Sequence, residues 1–228
     1  MSDHYGPMRV TFRFDGTGVC HDTNNPTHLD GLLVWCMLPD SKRSESLTRD
    51  EQPEDIILPL ERWHSEDPKA WGWRASALFP DGQFAETRFH RRRKMQMNRL
   101  ERTTGTVNTQ IGTMKEWNVP VPVLLCHTLV AFAVGDRLLV ERLLRDNIRY
   151  VGRERARGFG RVVGIDVDAT DGDWSCVRNS ACTRYLPDRQ GERMVRPRPP
   201  YWNIADAVPH KDVGEPAPEW TWAPRQLF

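Results

Sequence analysis

The sequence predicts an α+β fold, a ferredoxin-like sheet carrying insertions. Three observations carry this. Met8–Phe14 and Val163–Val167 alternate apolar and polar residues, as strands with one buried face do. Leu29–Leu38 and Leu139–Ile148 instead repeat their apolar residues at helical spacing. The resulting order, strand, helix, strands, strand, helix, strand, suits one sheet with two helices against it.

In the first strand Val10, Phe12 and Phe14 take the buried face. Gly16–Pro26 reads as a loop, and Thr27-His28-Leu29-Asp30 as a capping box with Thr27 as N-cap and Asp30 as its reciprocal acid. Leu29, Leu32, Leu33 and Cys36 share a face of the helix, which Pro39-Asp40 stops. The polar stretch Ser41–Asp55 is expected as a surface loop. Ile56–Trp63 reads as a short strand and Trp71–Phe79 as a longer alternating one. Asp81-Gly82 is a turn signal before a further strand at Gln83–Lys94. From there to Asn118 no period is clear, and an arm or hairpin standing off the core is expected. Val121–Val134 is apolar and β-branched enough for a central strand. Gly135-Asp136 breaks it, and Asp136 is placed to cap the second helix, whose stripe is Leu139, Val140, Leu143, Leu144 and Ile148. After Val163–Val167, Asp171-Gly172 turns the chain and Trp174–Arg178 is expected to pair back. Residues 1–192 form the expected domain. Residues 193–228, rich in proline, form an extended tail anchored by Trp202, Trp220 and Trp222.

Between the second helix and the last strand lies a loop of glycines and arginines. It contains Arg149, Gly152, Arg153, Arg155, Arg157, Gly158, Phe159, Gly160 and Arg161. Glycine admits positive φ and close approach of backbone to a ligand. Arginine grips phosphate through two donors at once. Such a loop suits a nucleic-acid backbone; its plainer reading is a tight connection with solvated arginines, and both stand at this point. It is no dinucleotide fingerprint, because Val163 occupies the third glycine position and a strand, not a helix, follows. A second cationic cluster, Arg88, Arg91, Arg92, Arg93 and Lys94, is followed by Arg99 and Arg102. A strand sends neighbouring side chains to opposite faces, so only part of this cluster can line one groove. Two such clusters favour binding over a merely solvated strand end.

Composition bounds the rest. The 228 residues have a formal net charge of +1, so any basic surface must be local. The five cysteines have neither zinc-like nor disulfide-scaffold spacing, and reduced cytoplasmic thiols are the expectation. No signal pattern or membrane-length apolar run is evident, so the protein is expected to be cytoplasmic and unanchored. No metal or cofactor is expected. Asp166, Asp168, Asp171 and Asp173 fail calcium-loop spacing, since Asp171 stands where glycine is needed. His28 has the chemistry of a general acid or base for metal-independent RNA cleavage. Local packing at the helix start is the preferred reading, because no second catalytic group is fixed by the sequence.

Three stretches carry a family resemblance: Thr27-His28-Leu29-Asp30-Gly31-Leu32-Leu33-Val34-Trp35, Gly152–Val162, and Arg196-Pro197-Arg198-Pro199-Pro200-Tyr201-Trp202. With the first strand they resemble the RAMP superfamily of CRISPR-associated proteins, over Met8 to Trp202. Within it the chain most resembles the subunit of type IV effector complexes that binds the five-prime handle of the CRISPR RNA. The resemblance implies a ferredoxin-like (RRM-like) core with its glycine-rich loop, and an inserted hairpin thumb within about 88–118. It further implies contact with a backbone subunit, with the large subunit and, nearby, with target DNA. Most such relatives do not cleave RNA, while RNA-processing members of the superfamily do. A non-catalytic RNA-binding subunit is therefore the first reading, a His28-dependent endonuclease the second, and a protein-interaction module without RNA the third.

Overall fold

A computed structural model describes residues 4–39, 41, 52–65, 67, 70–94, 110 and 115–218. Among these the fold mixes helices with strands, and every strand pair is antiparallel. The central sheet has four strands in the order β4-β7-β1-β8. These are β1 (Tyr5–Phe14), β4 (Phe79–Pro80), β7 (Thr128–Asp136) and β8 (Val162–Ala169). Helix α1 (Leu29–Met37) packs against α2 (Arg137–Asn147), and α2 also lies on β8.

The core forms where the sheet's alternation meets the helical stripes. Met8, Val10, Phe12 and Phe14 are buried with Leu129, Ala131, Ala133, Ile165 and Val167. Leu29, Leu33 and Cys36 of α1 and Val140 and Leu144 of α2 cover them. Asp136 caps α2 as expected, its side chain accepting from the Leu139 N–H at 3.0 Å.

Several expectations are corrected. The stretch 121–134 is not one strand, because the chain bends at His127. β6 (Trp117–Cys126) leaves the central sheet and pairs along its length with β5 (Phe84–Arg93). Pro120 and Pro122 explain this: proline cannot donate to a central ladder. The offshoot therefore includes a ten-residue ribbon wider than 88–118. Ile56–Trp63 is strand only from Arg62, in β2 (Arg62–His64), which pairs with β3 (Trp71–Trp73). Beyond β3 the expected long strand continues as single bridges, Ala75 to Ala133 and Ala77 to His28. In β8 a bulge opposite Arg13 and Phe14 puts Val162 against the core and leaves Val163 exposed. Trp174–Arg178 does not return to β8. β9 (Val177–Arg178) pairs with β10 (Ala181–Cys182) across Asn179-Ser180, both at positive φ as a two-residue hairpin turn needs.

The capping box is also corrected. His28, not Thr27, is the N-cap of α1, with no side-chain cap bond. Asp30 is fully buried and bonded to the Tyr201 hydroxyl at 2.7 Å and the Gly31 N–H at 2.9 Å. Arg184, 0% exposed, faces it at 3.4 Å and donates to the carbonyls of Trp73, Ala75 and Pro197. This hub draws the C-terminal segment onto α1. Residues 186–211 there form a three-stranded sheet of β11 (Leu186–Pro187), β13 (Val208–Lys211) and β12 (Arg193–Val195). Trp202, expected as an anchor, is 53% exposed; Trp220 and Trp222 lie outside the described residues.

Candidate nucleic-acid interface

The β5–β6 ribbon and the glycine–arginine loop meet on one surface. The ribbon's base is fixed by reciprocal backbone bonds between Val19 and Leu124, both 2.8 Å. The next residues of the same loop hold the glycine–arginine segment: Gly160 N–H donates to Gly18 and Arg153 N–H to Cys20. Two glycines of the segment are demanded by this packing. Gly160 has φ +70, and a Cβ there would collide with the Val151 carbonyl oxygen. Gly152 has φ +88, and its Cβ would fall 2.6 Å from the Cys20 carbonyl oxygen. Gly158 differs. It too has positive φ, but nothing lies within 4 Å of its would-be Cβ, so a side chain there would point into open space.

Strand alternation sorts the ribbon's cations. Phe89, Arg91 and Arg93 share one face with Trp117, Val119 and Val121 opposite them. That face meets the loop. The Phe89 and Phe159 rings are 5.4 Å apart, and the Arg157 guanidinium lies 5.1 Å from the Phe89 ring. Glu154 is shared between Arg91 at 3.5 Å and Arg157 at 3.3 Å, and Arg91 also lies 5.0 Å from the Trp117 ring. One carboxylate facing two guanidiniums leaves a local cationic surplus. Arg88, His90 and Arg92 point to the other face, where His90 and Arg92 contact the Asn118 side chain. Lys94 follows the strand and is exposed. Arg99 and Arg102 lie outside the described residues.

The loop's remaining arginines face elsewhere. Arg149, Arg153 and Arg155 line a cleft of about 480 Å³ between the loop and α1. Arg161 is exposed beside a bridge to Tyr150. The structure thus joins part of each cluster, Arg91 and Arg93 on the face that meets Arg157, and puts the other described arginines of the clusters on flanking faces. Sequence reasoning missed Phe89, Trp117 and Glu154 as the groups that bring the clusters together. The period-2 placement of Phe89 before Arg91 and Arg93 was the available signal.

His28 is only 2% exposed, between the rings of Tyr185 and Tyr201, each 4.6 Å away. Neither ring nitrogen has a hydrogen-bond partner. Burial, and then the nearby Arg184 charge, holds its pKa well below the usual histidine value. Among the described residues no cluster of His, Cys, Asp or Glu could hold a metal ion, and no helix is long and apolar enough to cross a membrane. All five cysteines are free and buried.

Residues 6–120 and 86–212 match the family model described as CRISPR type IV associated protein Csf3. No curated protein matches the chain.

Proposed function

Because the chain belongs to the Csf3 family of CRISPR type IV associated proteins, we propose that it is the RNA-binding, non-catalytic subunit of a type IV effector complex. On this reading it grips the five-prime handle of the CRISPR RNA and caps the backbone filament, next to the large subunit and the target DNA. The observation that carries the reading is the meeting of the two arginine clusters through Arg91, Glu154 and Arg157. Cations on two separate elements, turned to one surface, suit a ribose–phosphate chain that crosses from one to the other. The aromatic side chains beside them, Phe89, Phe159 and Trp117, offer faces for bases.

The architecture supports this reading as well. Setting the ribbon and small sheets aside, the strands of the central sheet run, in chain order, β1, β4, β7 and β8, with α1 after β1 and α2 after β7. Their spatial order, β4-β7-β1-β8, suits a ferredoxin-like core. The β5–β6 ribbon then acts as the thumb, and Arg149–Arg161 as the glycine-rich loop.

The alternative, an endonuclease using His28, needs an imidazole that reaches a 2′-hydroxyl. The enclosure of His28 between two tyrosines favours the non-catalytic reading. Absence of metal-independent cleavage of labelled repeat RNA is the matching expectation.

The test is the salt dependence of RNA binding. Replacing Arg91, Arg93 and Arg157 by Gln removes up to three phosphate partners. For single-stranded RNA the slope of log K against log salt should then become shallower by about 0.7 for each phosphate no longer neutralised, or roughly 2 in all. An unchanged slope and unchanged affinity for CRISPR RNA would defeat the proposal.

A further inference from the structure

The cleft that holds Arg149, Arg153 and Arg155 opens into a second, larger cavity of about 790 Å³ between α1 and residues 193–204. The two share Asn25, Thr27, Gly31, Trp35 and Arg153. Their chemistry differs. Among the described residues, no ion pair is formed by Arg149, Arg153 or Arg155, although Arg149 donates to the Arg145 carbonyl at 2.6 Å. The cleft's acid, Asp22, accepts from the Asn24 N–H. The cleft therefore carries unneutralised positive charge.

The larger cavity is aromatic and has no cationic surplus of its own. Trp35, Tyr201 and Trp202 stand in its wall. Arg198 is matched to Asp55 at 2.8 Å and Asp206 at 2.7 Å, and Arg193 to Asp212 at 3.2 Å. Glu54 adds an exposed acid. Three large apolar side chains of this wall, Met194, Trp202 and Ile204, are also left at least half exposed, the mark of a surface that is covered in use. The volume is in the range of pockets that hold a small organic ligand.

We propose that these joined hollows form a nucleotide site: the arginine cleft takes phosphates, and the aromatic cavity takes one unpaired base of the bound RNA. This rests on the RNA-binding reading and extends it to hollows that no described residue of the ribbon lines. A neutral flat ring is what an aromatic, charge-balanced cavity accepts, and a phosphate is what the adjoining arginines accept. A nucleotide carries both at short range. Stacking on Trp35 or Trp202 tolerates any base, since every base has a π-face.

Gly31 supplies the test. It lines both hollows, and the nearest atom to its would-be Cβ is Tyr201 Cε2 at 4.0 Å. Gly31→Leu therefore fills their junction, and leucine favours a helix more than glycine does. Trp202→Ala, at an exposed position, is the companion variant should Gly31→Leu fail to fold. The full chain is titrated with an eight-nucleotide single-stranded RNA and with an abasic RNA of the same length and phosphate count. The wild type should bind the base-bearing RNA about tenfold more tightly than the abasic one. Either variant should weaken binding of the base-bearing RNA about tenfold and keep its abasic affinity, any preference that remains belonging to Phe89, Phe159 and Trp117. Equal binding of the two RNAs by the wild type would overturn the base pocket while leaving backbone binding in place. A preference undiminished in both variants would put all the base stacking elsewhere and overturn the assignment. Failure of the wild type to bind either RNA would overturn this site and the RNA-binding reading together.

Discussion

Replacing His28 by Phe should flatten the acid limb of the stability profile. The wild-type ring is buried, its nitrogens have no partners, and its pKa in the folded protein is held well below 6.5. A histidine with a lowered folded pKa contributes stability that is complete above its unfolded pKa. That contribution is lost as pH falls from about 6.5 toward the folded value, because the unfolded chain binds the proton first. Each pH unit in that window costs about 1.4 kcal/mol, so a ring still neutral in the fold at pH 5 costs the wild type about 2 kcal/mol. His21 and His210 are lowered too, chiefly by burial, but they are common to both proteins. The difference between the two profiles therefore isolates a single proton. At pH 8 two terms oppose each other. Removing unpaired nitrogens gains about 1–3 kcal/mol, and fitting a larger ring into a packed site costs about 1–3 kcal/mol. The slope thus carries the test better than the absolute stability. Losing the N-cap side chain costs little, since His28 makes no cap bond. Urea unfolding at pH 5, 6, 7 and 8 measures it. Parallel profiles for the two proteins would refute the reasoning, and so would a wild-type His28 proton resonance titrating near pH 6.5.

Gly160→Ala should prevent the glycine–arginine loop from closing, because its Cβ meets the Val151 carbonyl at positive φ, whereas Gly158→Ala should fold with a loss of about 1–2 kcal/mol; thermal melts of the two variants separate the cases. Asp136→Ala removes the side-chain N-cap of α2 and should cost about 1 kcal/mol, a fall of roughly 2–4 °C in Tm. Burial pushes the thiols of Cys20 and Cys126 up to about 11 and those of Cys176 and Cys182 up to about 12. These four should resist a thiol reagent at pH 8 in the native protein and react once it is denatured.

What could be read from the sequence divides by distance along the chain. β1 and α2 were legible because alternation and a helical stripe are local patterns, and Asp136 stands where an N-cap belongs. The split of 121–134 was legible in principle, since Pro120 and Pro122 argue against a central strand. The β8 bulge was not, for it depends on how Arg13 and Phe14 pair across the sheet. Nor was the role of Asp30, whose partners Arg184 and Tyr201 lie more than 150 residues away. A Thr-x-x-Asp pattern has a local explanation, capping, and here the long-range partners prevail. Both arginine clusters could be seen as basic, but which arginines face each other depends on ribbon parity and on loop geometry that no motif encodes.

The meeting of those clusters cannot be the work of the arginines, since like charges repel. Surface ion pairs such as Arg91–Glu154 contribute at most about 1 kcal/mol. The backbone of Gly18-Val19-Cys20 does the positioning instead. Val19 pairs with Leu124 at the ribbon's base, while Gly18 and Cys20 accept from Gly160 and Arg153. Three consecutive residues thus bind the ribbon on one side and the glycine–arginine loop on the other. Gly18 permits it: it has φ +84, and a Cβ would fall 2.9 Å from Val123 Cγ1. The cationic surface is therefore assembled by neutral hydrogen bonds beneath it, with Glu154 and the Phe89–Phe159 contact offsetting part of the repulsion. A surface held together in this way keeps its arginines in place before any polyanion arrives. If the chain binds RNA as proposed, the ordering cost of binding then falls mainly on the RNA.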